Sequence, residues 1–106
     1  MHKVGVDMQT SILRGDEETC LVQTPAWDFN WQRLYSYDAP VEDTVTVLPG
    51  DVVRVRCTYD NTLDNSALLE ALAETGNTEP IDVELGEGTL DEMCLAGVGV
   101  AYRAAP

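Results

Sequence analysis

The chain has 106 residues, with 19 Asp plus Glu against 6 Lys plus Arg and one His, a formal charge of -13. That length holds one domain, expected over residues 1–106, and 44% hydrophobic residues arranged in alternating runs exclude a disordered chain. A pI near 4.1 argues against a nucleic-acid partner and against an anionic membrane surface. No apolar run approaches the roughly 20 residues that span a bilayer, and a single His excludes a multi-histidine metal site from this chain alone.

In chain order, segments of strand character recur between turn signals. Residues 10–13 and 20–23 flank the polar run Arg14-Gly15-Asp16-Glu17-Glu18, which reads as a hairpin connection. Trp27-Asp28-Phe29-Asn30-Trp31 alternates aromatic and polar residues, which predicts an extended segment with three rings on one face, most simply in the core. Residues 34–37 continue it or form the next strand. Residues 44–47 form another, followed by the turn Leu48-Pro49-Gly50-Asp51.

Residues 52–59 then place Val53, Val55 and Cys57 on one face and Arg54 and Arg56 on the other, as in a sheet with one wet side. Ser66-Ala67-Leu68-Leu69-Glu70-Ala71-Leu72-Ala73-Glu74 is built of strong helix formers. Asn65 or Ser66 can cap it, and Gly76 sits just past its end. Residues 81–85 predict a short strand and residues 93–102 a long last one, with Gly97 and Gly99 marking a bulge or close approach. The expected fold is therefore all-β, an antiparallel β-sandwich of jelly-roll type with one short inserted helix.

Cys20, Cys57 and Cys94 form no zinc-type cluster. One disulfide plus a spare thiol suits an exported domain, and three free thiols suit a cytosolic one. The opening Met1-His2-Lys3-Val4-Gly5-Val6-Asp7 has no apolar leader, as expected of a chain that is not exported or of one whose start lies further upstream. The acidity reads first as a solvated surface. Asp91 and Glu92 are adjacent, so on a strand they point to opposite faces and read as structural rather than as an acid–base pair.

Specific words carry the reading further. Trp27-Asp28-Phe29-Asn30-Trp31-Gln32, Pro49-Gly50-Asp51 leading to Arg56-Cys57-Thr58-Tyr59-Asp60-Asn61, and Gly86-Glu87-Gly88-Thr89-Leu90-Asp91-Glu92-Met93-Cys94 occur in that order. Together they resemble the C-terminal catalytic domain of the copper type II, ascorbate-dependent monooxygenases, the family of dopamine β-monooxygenase and peptidylglycine α-hydroxylating monooxygenase. Met1-His2-Lys3-Val4-Gly5 resembles the end of that family's His-x-His-x-x-Gly element.

The resemblance implies one oxygen-binding copper, with His2 as the second His of the pair and Met93 as the thioether ligand. A thioether favours Cu(I), and imidazole suits either oxidation state. It implies a disulfide between Cys57 and Cys94, closing about 38 residues and worth roughly 4 kcal/mol in the chain-entropy model, with Cys20 as the spare thiol. It also implies hydroxylation of a substrate C–H bond with ascorbate or an equivalent reductant, a small-molecule or peptide substrate, and a secreted or periplasmic location.

Three departures shape these expectations. The first His of the pair falls one residue before Met1. The family's second copper belongs to an upstream domain, an expected partner. Peptide-amidating members carry Asn and Tyr two and four positions after the Met, where this chain has Leu95 and Gly97, which argues against a peptide carboxylate substrate. The competing expectation is a non-catalytic interaction or copper-binding module derived from the family.

Overall fold

The computed structural model describes residues 1–105. Three strands, β1 (Gly5–Arg14), β2 (Glu17–Thr24) and β3 (Val52–Tyr59), form one open antiparallel sheet in the order β2-β1-β3. One helix, α1 (Ser66–Glu74), follows. Strand-dominated structure with one short helix is what the sequence predicts. The two-sheet sandwich is not what the described residues form.

Local chemistry explains each element. Gly15 has φ +57° and no non-glycine residue has positive φ, so Gly15-Asp16 closes the β1–β2 hairpin as a type II′ turn. The connection is thus two residues long, and both strands extend further than the polar run suggests. Opposite Thr10 and Ser11 the register shifts by one residue on β2, a β-bulge. Thr10, Ser11 and Ile12 are all buried in this central strand.

Before β3, Gly50 at φ +91° completes the turn in which the Asp51 N–H bonds to Leu48 O at 3.1 Å. α1 starts at Asn65, whose side chain accepts from the N–H groups of Ala67 and Leu68, a cap of about 1 kcal/mol. It ends in a Schellman arrangement, with Gly76 at φ +76° and the Asn77 N–H on Leu72 O at 2.8 Å.

Several predicted strands are absent among the described residues, for identifiable reasons. Residues 44–47 pair with no strand; instead the Arg14 guanidinium donates to Thr46 O at 2.9 Å. Residues 81–85 follow Pro80 and achieve only an isolated parallel bridge between Leu85 and Glu92. Residues 93–102 are tied at Cys94 but carry Gly97 and Gly99, which weaken extended pairing. The aromatic segment is not extended, because the Asp28 carboxylate accepts from the Asn30 N–H at 2.8 Å and folds Phe29–Trp31 into a 3-10 turn. Trp27 and Phe29 are half-buried and Trp31 is exposed, so the three rings are not core.

With no second sheet to cover it, the valine face of β3 is open, and Val53 is 43% exposed. Arg54, predicted to face outward, is half-buried and ion-paired with Glu18 of β2. The Glu18 carboxyl is held below its usual range by the Ser11 hydroxyl first and by Arg54 second. The molecule is elongated, 60 × 27 × 21 Å with a radius of gyration of 17.1 Å, against about 13 Å for a compact chain of this length. Its main apolar cluster is small: Val4, Leu68 and Leu72, flanked by Val83 and Leu90.

At the far end of the sheet, Arg14 grips Asp51 bidentately, at 2.8 and 2.7 Å. The guanidinium, and then the Leu48 N–H, hold the Asp51 carboxyl down from the usual 3.8 to about 2. A carboxyl depressed on folding stabilises above its unfolded value and loses that contribution as pH falls through its folded value. Acid unfolding of the wild type should therefore show a loss of stability between pH 3.8 and 2 that Asp51→Asn lacks, measured as denaturation midpoints across that range. Equal pH dependence in both proteins contradicts the pairing.

Candidate metal centre

Residues 1–4 form a loop that runs into β1 at Gly5, and the polar backbone of these five residues is almost wholly taken by other segments. Met1, His2, Val4 and Gly5 are buried. Gln32 Nε2 donates to Met1 O at 2.7 Å, and Trp27 Nε1 donates to His2 O at 3.1 Å. Asn65, while capping α1, donates through Nδ2 to Lys3 O at 3.1 Å and to Asp60 O at 2.9 Å. The family-like word around Trp27 and Gln32 thus has a physical role: it holds the His2 loop from one side.

The segment 84–94 holds it from the other. A Cβ on Gly86 would stand 2.3 Å from Asp91 Oδ2 and one on Gly88 would stand 2.9 Å from it, so only glycine lets the Asp91 carboxylate close over this turn. That carboxylate accepts from the Gly88 N–H at 3.0 Å. The Glu92 N–H bonds to Glu84 O at 2.9 Å, which fixes the strand-like entry to Met93. Glu92 is 6% exposed, and its carboxylate accepts from the N–H groups of His2, Val4 and Gly5. Cys94 is disulfide-bonded to Cys57 of β3, with Cα atoms 5.8 Å apart, and Cys20 is a free, exposed thiol.

His2 Nδ1 lies 2.8 Å from Asp91 O. A carbonyl only accepts, so Nδ1 carries a proton, and in the neutral ring Nε2 is the nitrogen with the free lone pair. The Phe29 ring packs edge-on against the imidazole at 5.7 Å and 69°, and Lys3 Nζ lies 5.4 Å over the same ring. The contacts with Asp91 O and Phe29 restrict rotation of the His2 ring.

Met93 is half-buried in the wall of a cavity of about 370 Å³ shared with Val4, Tyr59, Glu84, Glu92 and Cys94. His2 is not part of that wall. The structure therefore joins the two candidate ligands through Asp91 and Glu92, yet only Met93 faces this cavity. Desolvation, and then the charge of Glu92, push the Tyr59 hydroxyl above its usual pKa, so it remains a donor at neutral pH.

Among the described residues no three His, Cys, Asp or Glu converge as a metal cluster. The two candidate ligands, His2 and Met93, are of a different kind, an imidazole and a neutral thioether. That set suits copper, above all Cu(I). Sequence reading assigned Asp91 and Glu92 a structural role without seeing what they hold. The signal for Asp91 is the pair of glycines at 86 and 88, which announces a close approach without naming the group that approaches.

Gly86→Ala should drive Asp91 off the turn and free the His2 ring from Asp91 O. The expected readout is loss of the single His2 ring environment in the NMR spectrum, with α1 amide shifts unchanged. An unchanged His2 signal contradicts the close-packing argument.

The family profile described as copper type II ascorbate-dependent monooxygenase, C-terminal domain, matches residues 1–98. Comparison with curated proteins finds no match, and comparison with solved structures finds none. The profile spans the His2 loop, both disulfide cysteines and the whole turn from Gly86 to Met93, the parts that the contacts above join. The chain belongs to the copper type II ascorbate-dependent monooxygenase family, as its C-terminal domain.

Proposed function

We propose that the chain serves as the oxygen-binding copper domain of a monooxygenase that hydroxylates a substrate C–H bond, with His2 and Met93 as copper ligands. One observation carries this reading most directly. Asp91 O fixes the His2 tautomer so that Nε2 is the ligating nitrogen, two residues before Met93. The copper on which the family depends fits this donor set, and ascorbate is the family's reductant. When bound, copper supplies the redox chemistry, using reductant electrons to activate dioxygen for insertion of one atom.

The chain's own part is to hold, orient and exclude water. The Glu92 carboxylate keeps the His2 loop against the 84–94 segment, and the Asn65 amide ties the same loop to the start of α1. The disulfide holds the residue after Met93 to β3. Val4, Val83 and Leu85 make one side of the Met93 cavity apolar, while Tyr59, Asn61 and Glu84 offer polar contacts. No Lys or Arg lines it, and Leu95 and Gly97 stand where amidating relatives have anchors, which favours a small molecule over a peptide carboxylate. We assign the chain to a single domain working with an upstream copper domain, in an oxidising compartment where the Cys57–Cys94 bond persists.

Anaerobic Cu(I) titration tests this, in a Cys20→Ser background because an exposed thiol binds Cu(I) itself. One equivalent should bind, and His2→Ala and Met93→Ala should each weaken it by at least about tenfold, ~1.4 kcal/mol. Binding indifferent to both substitutions, or no stoichiometric binding, transfers the assignment to a non-catalytic interaction module.

A further inference from the structure

We infer that Glu92 is the positioning residue that sets His2 relative to Met93, and that its two oxygens are both required for this. The carboxylate is buried, and among the described residues no Lys or Arg pairs with it. Its charge is met instead by backbone donors from one loop. Oε1 accepts from His2 at 2.9 Å, Val4 at 3.0 Å and Gly5 at 3.1 Å, and Oε2 accepts from His2 at 2.8 Å. Such N–H···carboxylate bonds are charge-assisted and short, and three donors converging on one side chain fix the segment that leads into β1.

The chemistry of the donors excludes an amide as substitute. The His2 N–H is shared by both carboxylate oxygens, and glutamine offers one oxygen and an NH₂. With its oxygen at the Oε1 position, Gln keeps an acceptor for Val4, Gly5 and His2, but its NH₂ takes the place of Oε2, which stands 2.8 Å from His2 N, and there sets donor against donor. The damage therefore falls on His2. Met93 keeps independent tethers, because the Glu92 backbone still bonds Glu84 O and Cys94 is still bound to Cys57.

This inference rests on the copper reading for one of its two readouts only. The first is the imidazole itself: the chain has one His, so every ring signal reports His2. In apo protein at about pH 8, above the usual His titration, ¹⁵N NMR should show a single Nδ1–H tautomer. Glu92→Gln should give a mixture of both, with α1 amide shifts unchanged. The second is Cu(I) affinity, which should fall about 10- to 100-fold in Glu92→Gln, as for other residues that orient a metal ligand.

An unchanged tautomer in Glu92→Gln overturns the inference. If that variant fails to fold, Glu92→Asp carries the test: it keeps two oxygens and the charge but withdraws them by one methylene, and it should mix the tautomers too. Collapse of both variants overturns the inference as well, since Glu92 would then support the fold at large rather than His2. A tautomer that responds in a wild-type protein binding no copper leaves the positioning role standing and removes the copper reading.

Discussion

The arrangement depends on one buried carboxylate. Glu92 reaches back across nearly the whole length of the chain and gathers the N–H groups of His2, Val4 and Gly5. The segment that leads into β1 has buried N–H groups that the β1–β3 ladder does not take up, and buried donors must find acceptors. The carboxylate meets that requirement and, in doing so, brings the only His beside the strand-like segment that carries Met93. Asp91 completes the link through its carbonyl, and its side chain closes the glycine turn before it. Four consecutive residues, Asp91 to Cys94, thus orient the His, hold its loop, present the thioether and anchor to β3.

Much of this was legible in the sequence as words, less of it as geometry. Helix formers and an Asn cap announce α1 because the signals are local, within one turn. β3 and the hairpin follow from alternation and turn glycines for the same reason. The 93–102 segment shows where local reading ends: alternation states which face a residue would take, but a strand also needs a neighbouring edge, and pairing is a long-range matter. The aromatic run failed through a competing local bond, since a single Asp28 side chain converts an extended pattern into a 3-10 turn. Glu92 reads as structural in the sequence, but what it holds is not legible there, because its partners lie at the opposite end of the chain, where no spacing rule reaches.

The open sheet and the small cluster of Val4, Leu68 and Leu72 have a common consequence. Apolar burial within these residues is modest, so directional bonds carry an unusual share of the organisation. They are concentrated at both ends of the structure. At one end Arg14 and Asp51 clip the hairpin to the turn before β3. At the other, Asn65 acts twice, capping α1 and holding the backbone of the His2 loop. The helix is therefore coupled to the candidate metal centre by the residue that begins it, and the disulfide couples β3 to the same place.

The central claim is that one His and one Met, joined by this chain of contacts, form a single copper site. X-ray absorption at the copper edge of the Cu(I)-loaded Cys20→Ser protein addresses it directly. The account predicts scattering from one imidazole, necessarily His2, together with one sulfur that disappears in Met93→Ala. A spectrum with imidazole but no sulfur, or with a sulfur indifferent to Met93, would contradict it.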